Sequence, residues 1–389
     1  MDSITSQIDD KKKSLLGIFT KSQSTPENKG FQRVHDFLLQ DQSAKLLPRE
    51  RVTNCLKRRI DKTKQRLVKY NEERCKAHWS NVQRCGSIWT CPICAKQITE
   101  KRREELKQGV KNWKNNHCGE ILLLTLTNSH SASHSLKSLI SGQKKALGYF
   151  FGDRKGKFLL DDCLGRKYQV RAFEVTHGQN GWHPHFHILI FTNGQTVENF
   201  FELKRELSKH WLNCCKKSNL PLPSLSHGLD IRDGSYAEQY VSKWGIESEL
   251  TKGHIKKGRE GGLTPFDLLQ SSMLDHENSE KHGKLFQEFG ISFKGARQLV
   301  WSRGLKKLLG IAEKTDEELA EETEKSGILL DEVPELIFSL LCKYQKRHIY
   351  LTALENDYQS GNFGNLDSEA YLLIEDLAKR EIDFMESHY

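Results

Sequence analysis

In NGWHPHFHILIF, Asn180–Phe191, histidines stand at every second position and then run into an unbroken apolar stretch. A period of two is that of a β-strand, whose successive side chains point to opposite faces. His185 and His187 therefore share one face, and Phe186 and Ile188 take the other. The preceding stretch VRAFEVT, Val170–Thr176, also alternates and ends in the turn sequence HGQNGW. A hairpin turn centred between Gln179 and Asn180 sets Glu174 directly opposite His185 and diagonal to His187, within cross-strand reach. Two imidazoles and a carboxylate with open positions suit a catalytic divalent ion better than a closed structural one. His183 has the same parity but sits beside Pro184 at the turn, which makes it the alternate ligand.

The flanking patterns give this hairpin a context. EILLLTLT, Glu120–Thr127, is a continuous apolar run of the kind a central buried strand requires. Leu136, Leu139, Ile140, Leu147 and Phe150 recur at helical spacing, as do Phe200, Phe201, Leu207 and Trp211. LDIR, Leu229–Arg232, is a short strand, and Ser235 with Glu238 makes an S-x-x-E capping box that starts a helix at Tyr236. The order β-α-β-β-α-β predicts an α+β fold of the split βαβ, ferredoxin-like plan, an antiparallel sheet with helices on one face.

That last helix carries SYAEQYVSKW. Tyr236, Tyr240 and Lys243 fall at i, i+4 and i+7, a single face. Tyrosine near neutrality is a poor nucleophile, since ionising it costs about 4 kcal/mol. A nearby lysine lowers that cost, and a divalent ion polarises a phosphoryl group under attack. Attack on a phosphodiester exchanges one phosphoester for another and leaves a free 3′ hydroxyl, so the strand can be rejoined. Taken alone, the tyrosines would read as amphipathic core residues; the histidine strand changes that reading.

Charge is distributed unevenly along the 389 residues. Arg51–Asn115 holds 18 Lys/Arg against 6 Asp/Glu, whereas Ile311–Tyr389 holds 7 against 19. A basic front suits a polyanionic partner. No apolar run reaches the length of a membrane span and the first residues lack an apolar signal core, so a cytosolic location with reduced thiols is expected. Four of the ten cysteines then need another use. Cys91-x-x-Cys94 is a zinc half-site, which Cys85 and Cys75 can complete, with His78 as substitute for Cys75. Arg84, Trp79, Trp89 and a basic helix bearing Lys96, Arg102 and Arg103 would then meet DNA. The expected division is a polar leader (1–50), a basic zinc module (51–115), a core carrying the histidine strand and the tyrosine helix (116–250), a basic Gly-rich loop (251–265) and a mainly helical acidic region (266–389). No internal repeat is present.

LLLTLT, HPHFH and YVSK in this order resemble the HUH (His-hydrophobe-His) endonuclease superfamily, and in particular the rolling-circle replication initiators of bacterial plasmids. CGSIWTCPIC resembles the cysteine segment ahead of the core in such initiators, and FKGARQLVWSRGLKKLLGI a block downstream of it. The resemblance runs from about Cys75 to Ile311. It implies that His185 and His187 bind Mg or Mn, that Tyr240 is the nucleophile and that Lys243 lies near the phosphate or the ion. It also implies origin DNA, single-stranded or in a hairpin, as substrate, with a host helicase and DNA polymerase as partners in a bacterial cytoplasm. Some single-tyrosine relatives carry glutamate four residues before the nucleophile, where this chain has Tyr236, a second nucleophile or an assisting residue. A transposase or mobilisation relaxase shares the chemistry, and a zinc-bearing DNA-binding regulator without catalysis is a more distant alternative.

Overall fold

The computed structural model describes residues 26–117, 119–194, 197–243, 262–275, 277–321 and 327–387. Its strands are β1 (Arg66–Asn71), β2 (Lys76–Ser80), β3 (Ile121–Leu126), β4 (Arg166–Gly178), β5 (Gly181–Thr192), β6 (Leu229–Arg232), β7 (Leu299–Trp301) and β8 (Ile328–Val333). The longer helices are α1 (Pro26–Leu46), α2 (Pro92–His117), α3 (Leu136–Gly152), α4 (Phe200–Lys217), α5 (Gly234–Lys243), α6 (Pro265–Leu274), α7 (Ser279–Ser292), α8 (Glu335–Lys343), α9 (Arg347–Ser360) and α10 (Glu369–Glu386). The fold is α+β with antiparallel sheets.

Two compact units divide the chain: residues 1–98 together with 315–389, and residues 99–314. The second is inserted in the sequence of the first, and the boundary falls inside α2. The segments expected from composition are redistributed accordingly. The basic 51–115 stretch is split, and the region from 266 is shared between the units. Of the expected Gly-rich loop, residues 251–261 lie outside the described residues, as do residues 1–25 of the leader.

In the inserted unit, five strands run in the order β6-β3-β5-β4-β7. The first four strands along the chain, β3 to β6, are joined as β-α-β-β-α-β through α3 and α4, as the periodicity predicts. The β4–β5 hairpin closes at Gln179-Asn180, with Gly178 opposite Gly181 and Glu174 opposite His185. Gly181 is required there, because its φ is +85° and a Cβ would lie 2.9 Å from Cα of Ala132.

Alternation sorts β5 between the two faces. Phe186, Ile188 and Ile190 are buried on one. From that side Gln143 of α3 donates to the Pro184 carbonyl at 2.6 Å. Trp211 of α4 donates to the Thr127 carbonyl at 2.6 Å. The opposite face, that of His185 and His187, is not left open. Leu106, Val110 and Trp113 of α2 and Ala237 and Val241 of α5 form one buried cluster with Ile121, Leu123, Val170, Leu189 and Phe191. Helices thus cover both faces, where the pattern suggested one. The downstream block also has a physical role: it supplies β7 beside β4, and Leu305, Leu309 and Ile311 join that same cluster. Phe191 is fully buried and meets Trp113 edge-to-face at 5.4 Å. Phe191→Ala is expected to cost about 3–5 kcal/mol, read as a lower urea midpoint of the transition that includes this unit.

In the interrupted unit, β8 from the acidic tail pairs with β1, giving the order β2-β1-β8. Trp79, offered above to DNA, is core: it is 1% exposed, meets Phe338 edge-on at 5.2 Å and stacks on Tyr350 at 6.1 Å. Tail and front also match charges. Arg33 pairs with Glu355 at 2.6 Å, Arg66 with Glu335 at 2.7 Å and Arg51 with Glu317 at 2.8 Å. Part of the positive charge that a polyanion would have met is answered inside the protein. Among the described residues, no helix is long and apolar enough to cross a membrane.

Candidate active site and metal centres

The hairpin register brings Glu174, His185 and His187 together, and α5 sets Tyr240 beside them. Glu174 Oε2 lies 3.6 Å from Nε2 of both histidines. The second carboxylate oxygen, Oε1, accepts the Tyr240 hydroxyl at 2.7 Å. The ring of Tyr240 is 4.8 Å from that of His187. The outer nitrogens are engaged as well: His187 Nδ1 is 3.0 Å from Thr125 Oγ1, and His185 Nδ1 is 3.2 Å from the His183 carbonyl. A proton held on each Nδ1 leaves each Nε2 lone pair free. One ligand atom from each of the three residues lies within 4.8 Å of the others, so the group can hold a metal ion.

Electrostatics favours a cation here. Burial would push the Glu174 carboxyl up, but the nearby His187 and His185 and the hydrogen bond from Tyr240 prevail and hold it at about 2. Burial drives His187 down, and the neighbouring His185 adds to this. His185 goes up despite its burial, because the Glu174 carboxylate lies 3.6 Å from its Nε2. Two imidazole nitrogens and a carboxylate charge converging on one point suit a divalent cation. His183, the alternate ligand, stacks between His130 at 4.7 Å and His185 at 5.0 Å and falls outside the ligand group.

Helix α5 starts two residues before the capping box suggested. The Asp233 carboxylate accepts from the Ser235 amide at 2.8 Å and its hydroxyl at 2.6 Å, while Glu238 pairs with Lys114. Tyr236 is 42% exposed, with the Arg232 guanidinium 4.7 Å from its ring centre, and it does not join Tyr240 at Glu174. Lys243 ends the helix, and its side chain lies outside the described residues.

Four buried thiols form the second group, and one member differs from expectation. Cys55 Sγ is 3.6 Å from Cys94, Cys85 is 3.7 Å from Cys94, and Cys91 is 3.7 Å from Cys55. Sulfurs at 2.3 Å around a tetrahedral ion stand about 3.8 Å apart, whereas a disulfide would bring them to about 2.05 Å. The spacing is that of thiols around one tetrahedral ion, and the group can hold a metal ion. Cys75, expected as the fourth ligand, is instead exposed in the β1–β2 turn at φ +49°. The hairpin carries it away, and Cys55, following a 3-10 turn at Arg51–Asn54, takes its place. His78 lies on β2 and does not join the group. The coupling among these thiols pulls Cys94 down and pushes Cys85 and Cys91 up.

Arg84 is not a DNA contact on this surface. It is buried, and its guanidinium donates to Gln97 at 3.2 Å. The other basic candidates are matched by carboxylates: Lys96 by Asp36 at 3.0 Å, Arg102 by Glu105 at 2.9 Å, and Arg103 by Glu100. Glu105 also holds Lys306, from the downstream block, at 2.9 Å. Trp89 is half-buried.

An α+β protein with an open Glu-His-His group, a tyrosine hydroxyl against it and a four-thiol group is defined by two candidate metal centres of opposite kind. The chain belongs to the Rep_1 replication protein family, whose model matches residues 76–349. "Protein rep" of Streptomyces lividans is 27% identical over a stretch covering 59% of this chain and 64% of that protein. A "Neomycin resistance protein" of Streptomyces cyanogenus is 31% identical over 137 residues, 29% of this chain and 31% of that one. The chain thus spans less than two thirds of either relative's length. No solved structure matches it.

Proposed function

We propose that this chain is a rolling-circle plasmid replication initiator of the HUH kind, a nickase that cuts one strand of origin DNA and stays joined to it through Tyr240. The observation that carries the proposal is the Tyr240 hydroxyl 2.7 Å from Glu174, itself 3.6 Å from both histidines. In the cleavage step a bond forms between the Tyr240 oxygen and phosphorus, and the bond from phosphorus to the 3′ oxygen breaks. The proton given up by tyrosine is balanced by the one the departing 3′ oxygen takes. Glu174 accepts the hydroxyl at 2.7 Å and so orients it toward the phosphate. His185, His187 and Glu174 would hold Mg or Mn, whose chemistry is to polarise the scissile phosphate and stabilise its charge. The product carries a 5′ phosphotyrosine and a free 3′ hydroxyl able to prime synthesis, which makes a host helicase and DNA polymerase the natural partners.

The four thiols hold structural zinc in this reading. A panel of labelled single strands from the plasmid origin, incubated with magnesium, tests it: one member should yield a covalent protein–DNA adduct and a 3′-hydroxyl fragment. Noncovalent binding without an adduct would leave a DNA-binding regulator in its place. Glu174→Gln keeps an oxygen for Tyr240 but removes the charge. It is expected to weaken Mn²⁺ binding and adduct formation by at least about a hundredfold, beyond the 10–100-fold usual for outer partners of a metal site.

A further inference from the structure

β3 is apolar and buried at every position except Thr125, and a hydroxyl inside such a strand needs a reason. The register supplies one. Thr125 stands directly opposite His187 across the β3–β5 pair, and its Oγ1 lies 3.0 Å from His187 Nδ1. On the other side of the same ring, Nε2 faces Glu174 at 3.6 Å. A histidine that gives Nε2 to an ion must carry its proton on Nδ1, so the Thr125 oxygen accepts that proton's hydrogen bond.

We infer that Thr125 is a positioning residue for the metal centre: it fixes the tautomer and ring orientation of His187 and so sets the affinity for the ion. This rests on the proposed metal-binding role of His185, His187 and Glu174. The partner histidine shows why a side chain is needed at only one of the two. His185 Nδ1 meets the main-chain carbonyl of His183 at 3.2 Å, a support that no substitution there removes. His187 lies further into the sheet, where β5 carbonyls serve the ladder to β3, and it relies on the strand opposite. The first threonine of LLLTLT thus acquires a task that its apolar neighbours cannot perform.

Thr125→Val preserves shape and β-branching and removes only the acceptor. With the full-length protein stripped of divalent ions at the open site, Mn²⁺ binding is followed by electron paramagnetic resonance of the free ion. Thr125→Val should bind 10–100-fold more weakly than wild type, and Thr125→Ser, which restores the oxygen, should return close to wild type. In long-range ¹H–¹⁵N spectra of the ion-free protein, the Nδ1–H form of His187 should dominate in wild type and Thr125→Ser and give way to a mixture in Thr125→Val. A Thr125→Val protein with unchanged melting that binds Mn²⁺ as tightly as wild type overturns the inference. Wild-type protein that binds no Mn²⁺ would instead overturn the metal-centre reading beneath it, and the inference with it.

Discussion

Tyr240→Phe should abolish covalent attachment to an origin strand, lowering cleavage by roughly a thousandfold or more, while leaving DNA binding and melting temperature close to wild type. The substitution removes one oxygen, the atom that Glu174 orients at 2.7 Å. Tyr236→Phe should keep nicking and impair only termination or strand transfer, because Tyr236 points toward Arg232 and solvent, one helical turn from Tyr240. Denaturing gels with labelled DNA read both outcomes. Equal loss of nicking in the two variants would mean that α5 rearranges on DNA and presents both rings, and the division of labour would have to be abandoned.

The second large effect concerns the thiols. Purified protein should carry one zinc per chain, and Cys55→Ser should lose it whereas Cys75→Ser should not. Structural zinc in small zinc-binding peptides is worth roughly 10–16 kcal/mol at neutral pH, and buried Cys91 and Cys94 would be left without an ion. The loss of metal in Cys55→Ser should destabilise the interrupted unit by more than about 4 kcal/mol. Metal analysis paired with calorimetry decides between the two cysteines. Zinc retained in Cys55→Ser and lost in Cys75→Ser would restore the assignment suggested by chain proximity.

Those cysteines show where the sequence is readable and where it is not. The hairpin was readable because its information is local: alternation around the turn on both arms and a two-residue turn leave one register that keeps the histidines on one face. That register fixes Glu174 against His185 without any knowledge of the rest of the fold. Helical spacing put Tyr236, Tyr240 and Lys243 on one face and the family resemblance singled out Tyr240, but its hydrogen bond to Glu174, 66 residues away, was legible in neither. Cys55 was passed over because it lies 30 residues before Cys85 and Cys75 only 10. Nothing local reveals that a hairpin tip exposes the nearer one. At the basic front the contact residues were illegible for the same reason: its arginines look solvated in sequence, but Arg66, for one, meets Glu335, 269 residues away in the tail. At α5 a local rule failed on local grounds: Asp233, the stronger acceptor, took the role assigned to Ser235.

The pairing of β1 with β8 sets a problem of timing during synthesis. A ribosome adding 5–20 residues per second takes roughly 10–40 s to make the inserted unit before the tail can emerge. Throughout that interval β1, central in the finished sheet, has β2 on one side and an unfilled edge on the other. Nascent chains halted before Ile328 would offer that edge, and the unmatched Arg66 beside it, to any extended polypeptide or chaperone nearby.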